Sequence, residues 1–401
     1  DVGSGKTVVA MSALIMACAN GYQAAIMAPT EILAAQHYSN IRHWCAELNL
    51  KVAILTGGMG ASVKKAVQEE IARGRISIVV GTHALIQQET NFRNLGMAVI
   101  DEQHRFGVVQ RAALREKGRN PHVLVMTATP IPRTLSMTLY GDLDASVLDE
   151  MPPGKLPVAT KVFYERHRDR LYEIVRGVLD EGQQVFIVYP LVEESEALDL
   201  KDATRMAGHL AKDVFPGYPI GLIHGKMKES DKSAVMSAFG KGDIRLLVAT
   251  TVIEVGIDVP QASLMVIEHA ERFGLSQLHQ LRGRVGRSDI PSRCILMVQK
   301  TTTEDSRKRL RIMELTNDGF RIAEEDLAIR GPGEFMGTRQ SGIPDFRVAN
   351  VIRDMKLLGD ARADAFSVIE DDPDLTKPGN RLLRAVVLKR WAGRLELAKT
   401  G

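Results

Sequence analysis

The sequence predicts an α/β protein built as two parallel-sheet lobes in tandem, and three observations carry that expectation. Near-continuous apolar runs of strand length alternate with amphipathic stretches along most of the chain. The alternation breaks once, at residues 148–157, and then restarts. A glycine-rich turn ending in Lys-Thr, residues 1–7, opens directly onto an apolar helical pattern. Strands covered on both faces read as unbroken apolar runs, and strand–helix alternation points to parallel pairing.

Composition sets the outer bounds. At 401 residues and 45% hydrophobic, the chain can bury more than one core, which suggests two or three domains. Only 5% of residues are aromatic, so aliphatic side chains must fill those cores. A net charge of +3 is compatible with a polyanionic partner without demanding one. Cys18, Cys45 and Cys294 lie far apart and form no C-x-x-C pair. That argues against a disulfide framework or a zinc site and fits a reducing cytoplasm. No apolar run approaches the ~20 residues of a membrane span.

The opening turn reads DVGSGKT. Gly3, Ser4 and Gly5 leave the backbone free to wrap an anion with its N–H groups, Lys6 adds a positive charge, and Thr7 offers a hydroxyl to Mg2+. The helix over residues 8–19 turns its positive end toward the same anion. The full phosphate-loop pattern needs one more glycine before Asp1, so the sequence reads as cut inside the loop.

Strands are expected at residues 23–28, 51–55, 76–80, 97–100 and 123–127, with helices at 31–47, 62–73 and 105–117. Ligands of such sheets bind at the carboxyl ends of the strands. Thr30 follows one strand and also suits a helix N-cap. Thr82 and His83 follow another. The strand ending at Ile100 leads into Asp101-Glu102-Gln103-His104. Adjacent carboxylates there are costly unless a cation satisfies them. With a phosphate loop upstream, Asp101 is assigned to hold Mg2+ through water and Glu102 to orient or polarise an attacking water. Thr127 and Thr129 end the next strand, where their hydroxyls are placed to bond His104 or Glu102 and sense the nucleotide state.

Residues 148–157, LDEMPPGKLP, are dense in Pro and Gly and read as a linker. Beyond it, strands are expected at 159–163, 185–189, 219–223, 245–249, 264–267 and 294–298, with helices at 167–179, 201–214 and 230–239. Thr250 and Thr251 close one strand, and Gly256 followed by Asp258 suits close backbone approach to a sugar hydroxyl. In QLRGRVGR, which starts at Gln280, Arg284 and Arg287 are expected on one side of a helical turn, within reach of one target. Helices are then expected at 303–313 and 320–328, an irregular Gly-rich loop at 330–342, and final helices at 346–369 and 380–399. The basic residues of the last helix read as a solvated face.

The order GSGKT, APTEILAAQH, GTHALI, DEQH, TATPIPRTL resembles the first motor lobe of superfamily 2 helicases. DEQH and TATPIPRTL, with the segment RGPGEFMGTRQSG, are closer still to the RecG family and to the related translocase module of transcription-repair coupling factors. The resemblance implies two RecA-like lobes at 1–147 and 158–300, joined by the linker 148–157. A helical hairpin and translocation loop at 301–345 and a helical segment at 346–401 would follow.

On the same resemblance, ATP binds at Gly3, Ser4, Gly5, Lys6 and Thr7, with Gly256 and Asp258 completing the nucleotide site. Thr7 and Asp101 hold Mg2+. Lys6, Asp101, Glu102, Gln280, Arg284 and Arg287 form the catalytic set, the arginines reaching across from the second lobe. Thr30, Thr82, His83, Thr250 and Thr251 contact DNA phosphates. His104, Thr127, Thr129, Arg330, Arg339 and Gln340 couple nucleotide state to movement.

The implied partner is branched or duplex DNA, gripped with an N-terminal wedge domain that these 401 residues do not contain. The implied protein is a monomer of the bacterial cytoplasm, associated with the nucleoid. A coupling-factor motor, an RNA helicase and a nucleic-acid-binding fragment with little ATPase remain as alternatives.

Overall fold

The computed structural model describes residues 1–102, 113–128, 144–190, 196–254, 259–299, 303–335 and 354–391. Its first sheet holds β1 (Gln23–Met27), β2 (Val52–Leu55), β3 (Ile78–Gly81), β4 (Leu95–Ile100) and β5 (His122–Val125). They lie in the order β2-β3-β1-β4-β5, and every pair is parallel. The central strands are buried along their whole length because helices cover both faces. Alternate residues divide between the two faces. Ala24 and Ile26 pack with Leu14 of α1 (Lys6–Ala19) and Leu33 of α2 (Glu31–Cys45). Ala25 and Met27 pack on the other face with Ile71 of α3 (Ala61–Ala72).

The second sheet holds β6 (Ala159–Tyr164), β7 (Gln184–Val188), β8 (Ile220–Ile223), β9 (Leu246–Ala249), β10 (Ala262–Ile267) and β11 (Arg293–Val298). The order is β6-β11-β10-β7-β9-β8, again parallel throughout. Its helices are α4 (Arg168–Asp180), α5 (Glu196–His209), α6 (Glu229–Lys241) and α7 (Leu275–Arg282). Two parallel α/β lobes are thus present as expected. The strands differ from the expected runs by one or two residues at their ends, because a ladder follows hydrogen bonds and not hydrophobicity. Leu95, for example, enters β4 by pairing with Gln23.

Past the second sheet come α8 (Glu304–Leu315), α9 (Gly319–Phe335), α10 (Met355–Asp371) and α11 (Arg381–Trp391). Glu314 of α8 accepts a hydrogen bond from the Val162 N–H (2.8 Å), closing the outer edge of β6. One expectation is corrected here. The sequence predicts an irregular loop from residue 330, yet α9 runs through Gly331, Pro332 and Gly333 to Phe335. Its first turns are anchored by buried Ile322, Ala323 and Leu327. Once a helix is nucleated, each further residue costs little, so the bond lost at Pro332 does not stop it. Residues 336–342 of the expected loop, the start of the helix expected from 346 and the end of the one expected to 399 lie outside the described residues.

Phe186 and Phe239 carry much of the second lobe's packing, with ring centroids 4.8 Å apart and both side chains buried. Phe239→Ala is expected to cost about 3–5 kcal/mol, read as a lower second-lobe transition in thermal or denaturant unfolding.

Candidate functional site

A cleft of about 460 Å³ opens between the lobes. Its floor is the loop before α1. Gly3 (φ +70) and Gly5 (φ +88) adopt left-handed backbone, and Gly5 caps the helix. A Cβ at Gly3 would also collide with the Lys155 ammonium. This curvature aims the free N–H groups of the first helical turn at one spot, a ready anion site. Lys6 donates to the Asp1 carbonyl, as does the Ser4 hydroxyl (3.0 Å). Burial pulls the Lys6 ammonium below its ordinary range, against the opposing pull of Glu102 and Asp101.

Asp101 and Glu102 stand at the end of β4 and are nearly buried. Glu102 takes a left-handed backbone (φ +54), held while its N–H donates to Asp101 Oδ1 (3.0 Å). Burial first, and the Asp101 charge second, raise the Glu102 carboxyl above the usual range. The Ala128 N–H, 3.4 Å from Glu102 Oε2, and the Arg284 charge work against that rise. Asp101 Oδ2 meets His37 Nε2 at 2.9 Å. Sequence reasoning missed His37, although a signal existed. It falls at i+4 spacing between Leu33 and Ile41 on the buried stripe of α2, where a polar ring needs a partner.

The other wall comes from the second lobe. The expectation of a helical turn carrying both arginines is corrected: α7 stops at Arg282, Gly283 is its C-cap, and Gly286 has φ +73. Arg284 and Arg287 therefore reach the cleft from the irregular turn beyond the helix. Arg284 is buried, and Arg287 Nε donates to the Gly283 carbonyl (3.1 Å). Gln280, expected in the catalytic set, is buried within α7 away from the cleft lining, because that lining begins only past the end of the helix. Linker residues Pro152, Pro153, Gly154 and Lys155 also line the cleft. Lys155, another residue missed from sequence, donates to the Val2 carbonyl (2.9 Å).

Thr7 and Asp101 face the same cleft, and a hydroxyl with a carboxylate is the hard-oxygen donor set that Mg2+ takes. Among the described residues no cluster of three or more His, Cys, Asp or Glu side chains has the arrangement of a protein-built metal cage. Mg2+ bound through few side chains and several waters needs no such cage.

The five residues expected at DNA lie at strand ends outside this cleft. Thr30 caps α2, its hydroxyl accepting from the Leu33 N–H (3.3 Å). His83 is exposed and Thr251 partly so. Thr82 and Thr250 require correction as direct phosphate contacts in this conformation, because both are buried with enclosed hydroxyl oxygens. Thr127 is partly exposed next to Ala128. His104, Thr129, Gly256, Asp258, Arg339 and Gln340 lie outside the described residues. Arg330 belongs to α9, and its side chain is likewise outside the description.

Behind the loop, His279 Nε2 meets Asp1 Oδ1 at 2.6 Å, and the Gly319 N–H donates to Asp1 Oδ2 (3.0 Å). Burial, with Arg282 next in weight, pushes the His279 imidazole down to about 3, so the ring is neutral.

With this geometry in view, known proteins can be compared. Residues 1–138 match the DEAD/DEAH box helicase family and residues 167–289 the helicase conserved C-terminal domain. Residues 316–392 match the C-terminal part of domain 3 of the ATP-dependent DNA helicase RecG. The ATP-dependent DNA helicase RecG of Synechocystis sp. is 52% identical over 94% of this chain and 45% of its own length. That of Escherichia coli is 48% identical over 98% of this chain and 56% of its own length. The chain belongs to the RecG family.

It spans about half the length of these RecG relatives. A solved RecG bound to a three-way DNA junction superposes with a TM-score of 0.72 at 47% identity, covering 89% of this chain and 46% of that one. Dbp5 of S. cerevisiae, bound to RNA and ADP BeF3, reaches a TM-score of 0.58 at 16% identity, with 82% of each chain covered, a likeness of fold alone. No described helix is long and apolar enough to cross a membrane.

The neutral His279 has a consequence for stability. Its folded value of about 3 lies below the ordinary 6.5, so between those values the unfolded chain holds a proton that the folded chain refuses. Stability from this group is complete above about pH 6.5 and is lost as pH falls toward 3. Asp1, Arg282, Lys155 and Asp318 face the ring and keep their places in a His279→Gln variant. That variant is expected to flatten the acid limb of the stability–pH curve, as read by thermal unfolding from pH 7 to 4.

Proposed function

We propose that this chain is the ATP-driven motor of a RecG-type DNA helicase, which moves on duplex DNA to migrate junctions and regress stalled forks. One observation carries the reading. A phosphate loop and a carboxylate pair from the first lobe face Arg284 and Arg287 of the second across one cleft. In outline, residues 1–147 and 158–300 are the motor lobes, 148–157 the linker, 301–345 the hairpin and loop, and 346–401 a helical segment. The greater length of the relatives leaves room for the wedge domain that the sequence resemblance implies. The motor works as a monomer, inside the bacterial cell with the nucleoid.

In this mechanism the triphosphate lies along the N–H groups of Gly3, Ser4, Gly5 and Lys6. Lys6 leaves the Asp1 carbonyl and neutralises phosphate charge instead. Thr7 and Asp101 would hold Mg2+, which would supply charge neutralisation at the phosphates. His37 keeps Asp101 turned toward the cleft. Glu102 orients the attacking water; its raised carboxyl value makes it a better proton acceptor once ionised. Arg284 and Arg287 stabilise the charge that develops on the transferred phosphoryl group. Because these groups belong to two lobes, the bound triphosphate draws them together and hydrolysis lets them part. DNA lies across the strand ends that carry Thr30, His83 and Thr251, where phosphate contacts give salt-sensitive, sequence-independent binding.

Lys6→Ala and Glu102→Gln are expected to abolish DNA-stimulated ATP hydrolysis, the second with ATP still bound. Arg287→Ala is expected to lower kcat by about 10³-fold with ATP affinity largely kept. Near-wild-type hydrolysis in the Lys6 or Glu102 variant would remove the assignment. Stronger stimulation by duplex RNA than by duplex DNA would replace it with an RNA motor.

A further inference from the structure

We propose that Asp1 and His279 are a positioning pair that ties the phosphate loop to the helical pair α8–α9. The inference rests on the motor reading above and adds residues to which neither the sequence motifs nor the chemistry of the cleft assigns a role.

The contacts form one continuous chain. Lys6 and Ser4 both bond the carbonyl of Asp1. The Asp1 carboxylate, nearly buried, accepts on one oxygen from His279 and the Val2 N–H and on the other from the Gly319 N–H, at the first residue of α9. A carboxylate there also complements the positive end of that helix. Neutral His279 has one donor and one acceptor nitrogen, and the contacts decide which is which. Nε2–H donates to Asp1, so Nδ1 accepts from Arg282 Nη2 (3.1 Å). Arg282 Nη1 in turn donates to the carbonyls of Met313 (3.0 Å) and Thr316 (2.8 Å), where α8 ends. Both sides of the turn between α8 and α9 are thereby referenced to one residue of the phosphate loop.

Two further features suit this path to transmit displacement. Val2 packs directly on Gly283, where a Cβ would lie 2.4 Å from Val2 Cγ1, so the Val2 side chain rests on bare backbone at the C-cap of α7. The contacts are also directional. A buried carboxylate held by the Val2 N–H, His279 and the Gly319 N–H cannot slide as an apolar contact can; it holds one arrangement or breaks. When a phosphate takes Lys6 from the Asp1 carbonyl, the Asp1 backbone loses that anchor while its side chain stays bound to His279 and α9. Movement of the loop is then handed to the helical pair. Asp1 and His279 touch neither the phosphates nor the attacking water, so they act through the positions of other groups.

The test separates coupling from chemistry. His279→Leu keeps bulk but removes donor and acceptor; His279→Gln keeps both in an amide. ATP hydrolysis stimulated by forked DNA and unwinding of the same fork are measured on one preparation of each. The Leu variant is expected to hydrolyse ATP at a rate near wild type while unwinding per ATP falls by about 10-fold, with Gln restoring most of it. Asp1→Asn combined with His279→Leu should cost no more in that ratio than the single changes. Hydrogen exchange at residues 313–320 gives a second readout. A non-hydrolysable ATP analogue should alter their protection in wild type and the Gln variant, and not in the Leu variant.

Equal loss of hydrolysis and unwinding, or an unchanged ratio with unchanged exchange, would overturn the pairing. Absence of ATP hydrolysis in the wild-type protein would instead overturn the motor reading, and the pairing with it.

Discussion

Charge carried into the cleft between the lobes sets the terms for everything around it. Asp101 and Glu102 follow a strand whose end is flanked by the apolar residues Met27 and Val125, and such carboxylates survive only where cations and N–H groups converge on them. Lys6 comes from the loop below, His37 from a helix on one face of the sheet, and Arg284 from the opposite lobe. Groups from both lobes thus meet at this pair. Both sheets, with Pro152, Pro153, Gly154 and Lys155 between them in the chain, border the same cleft.

Much of this was readable from the chain, and the failures have causes. Strand interiors announced themselves because burial on both faces leaves no room for polar residues, as at Ala24–Ile26–Val80 in the first sheet. The loop and the carboxylate pair were equally plain, since their chemistry is written in adjacent letters. The turn after α7 was misread despite its two glycines. Gly283 and Gly286 are the ordinary stop signal of a helix end, and they place the arginines beyond it. The continuation of α9 past Pro332 went the other way, with packing of its first turns outweighing local propensity. His37 with Asp101, Lys155 with Val2, and Asp1 with His279 are contacts between residues 64, 153 and 278 positions apart. Nothing local encodes such pairs.

The likeness to Dbp5 at 16% identity places the two-lobe fold well beyond this family. The distinguishing part is the stretch past the second sheet, matched over residues 316–392 to RecG alone among the family matches. Asp1 and Arg282 reach that stretch from the loop before α1 and the end of α7, at Gly319 and at Met313 and Thr316.

The strand order of the second sheet has a kinetic side. β6 is the first strand of that lobe to be made, yet its ladder partner is β11, the last, with Ala159 opposite Arg293. At ~5–20 residues per second, synthesis leaves β6 without a partner for roughly ten seconds. Its outer edge waits longer still, for Glu314. Closing so long a loop before any strand contact rewards it is slow, and an unpaired apolar strand is what chaperones hold and other chains capture. The charges that flank β6, from Lys161 within it to Arg166 and Arg168 just beyond, are well suited to keep it from pairing wrongly during that interval.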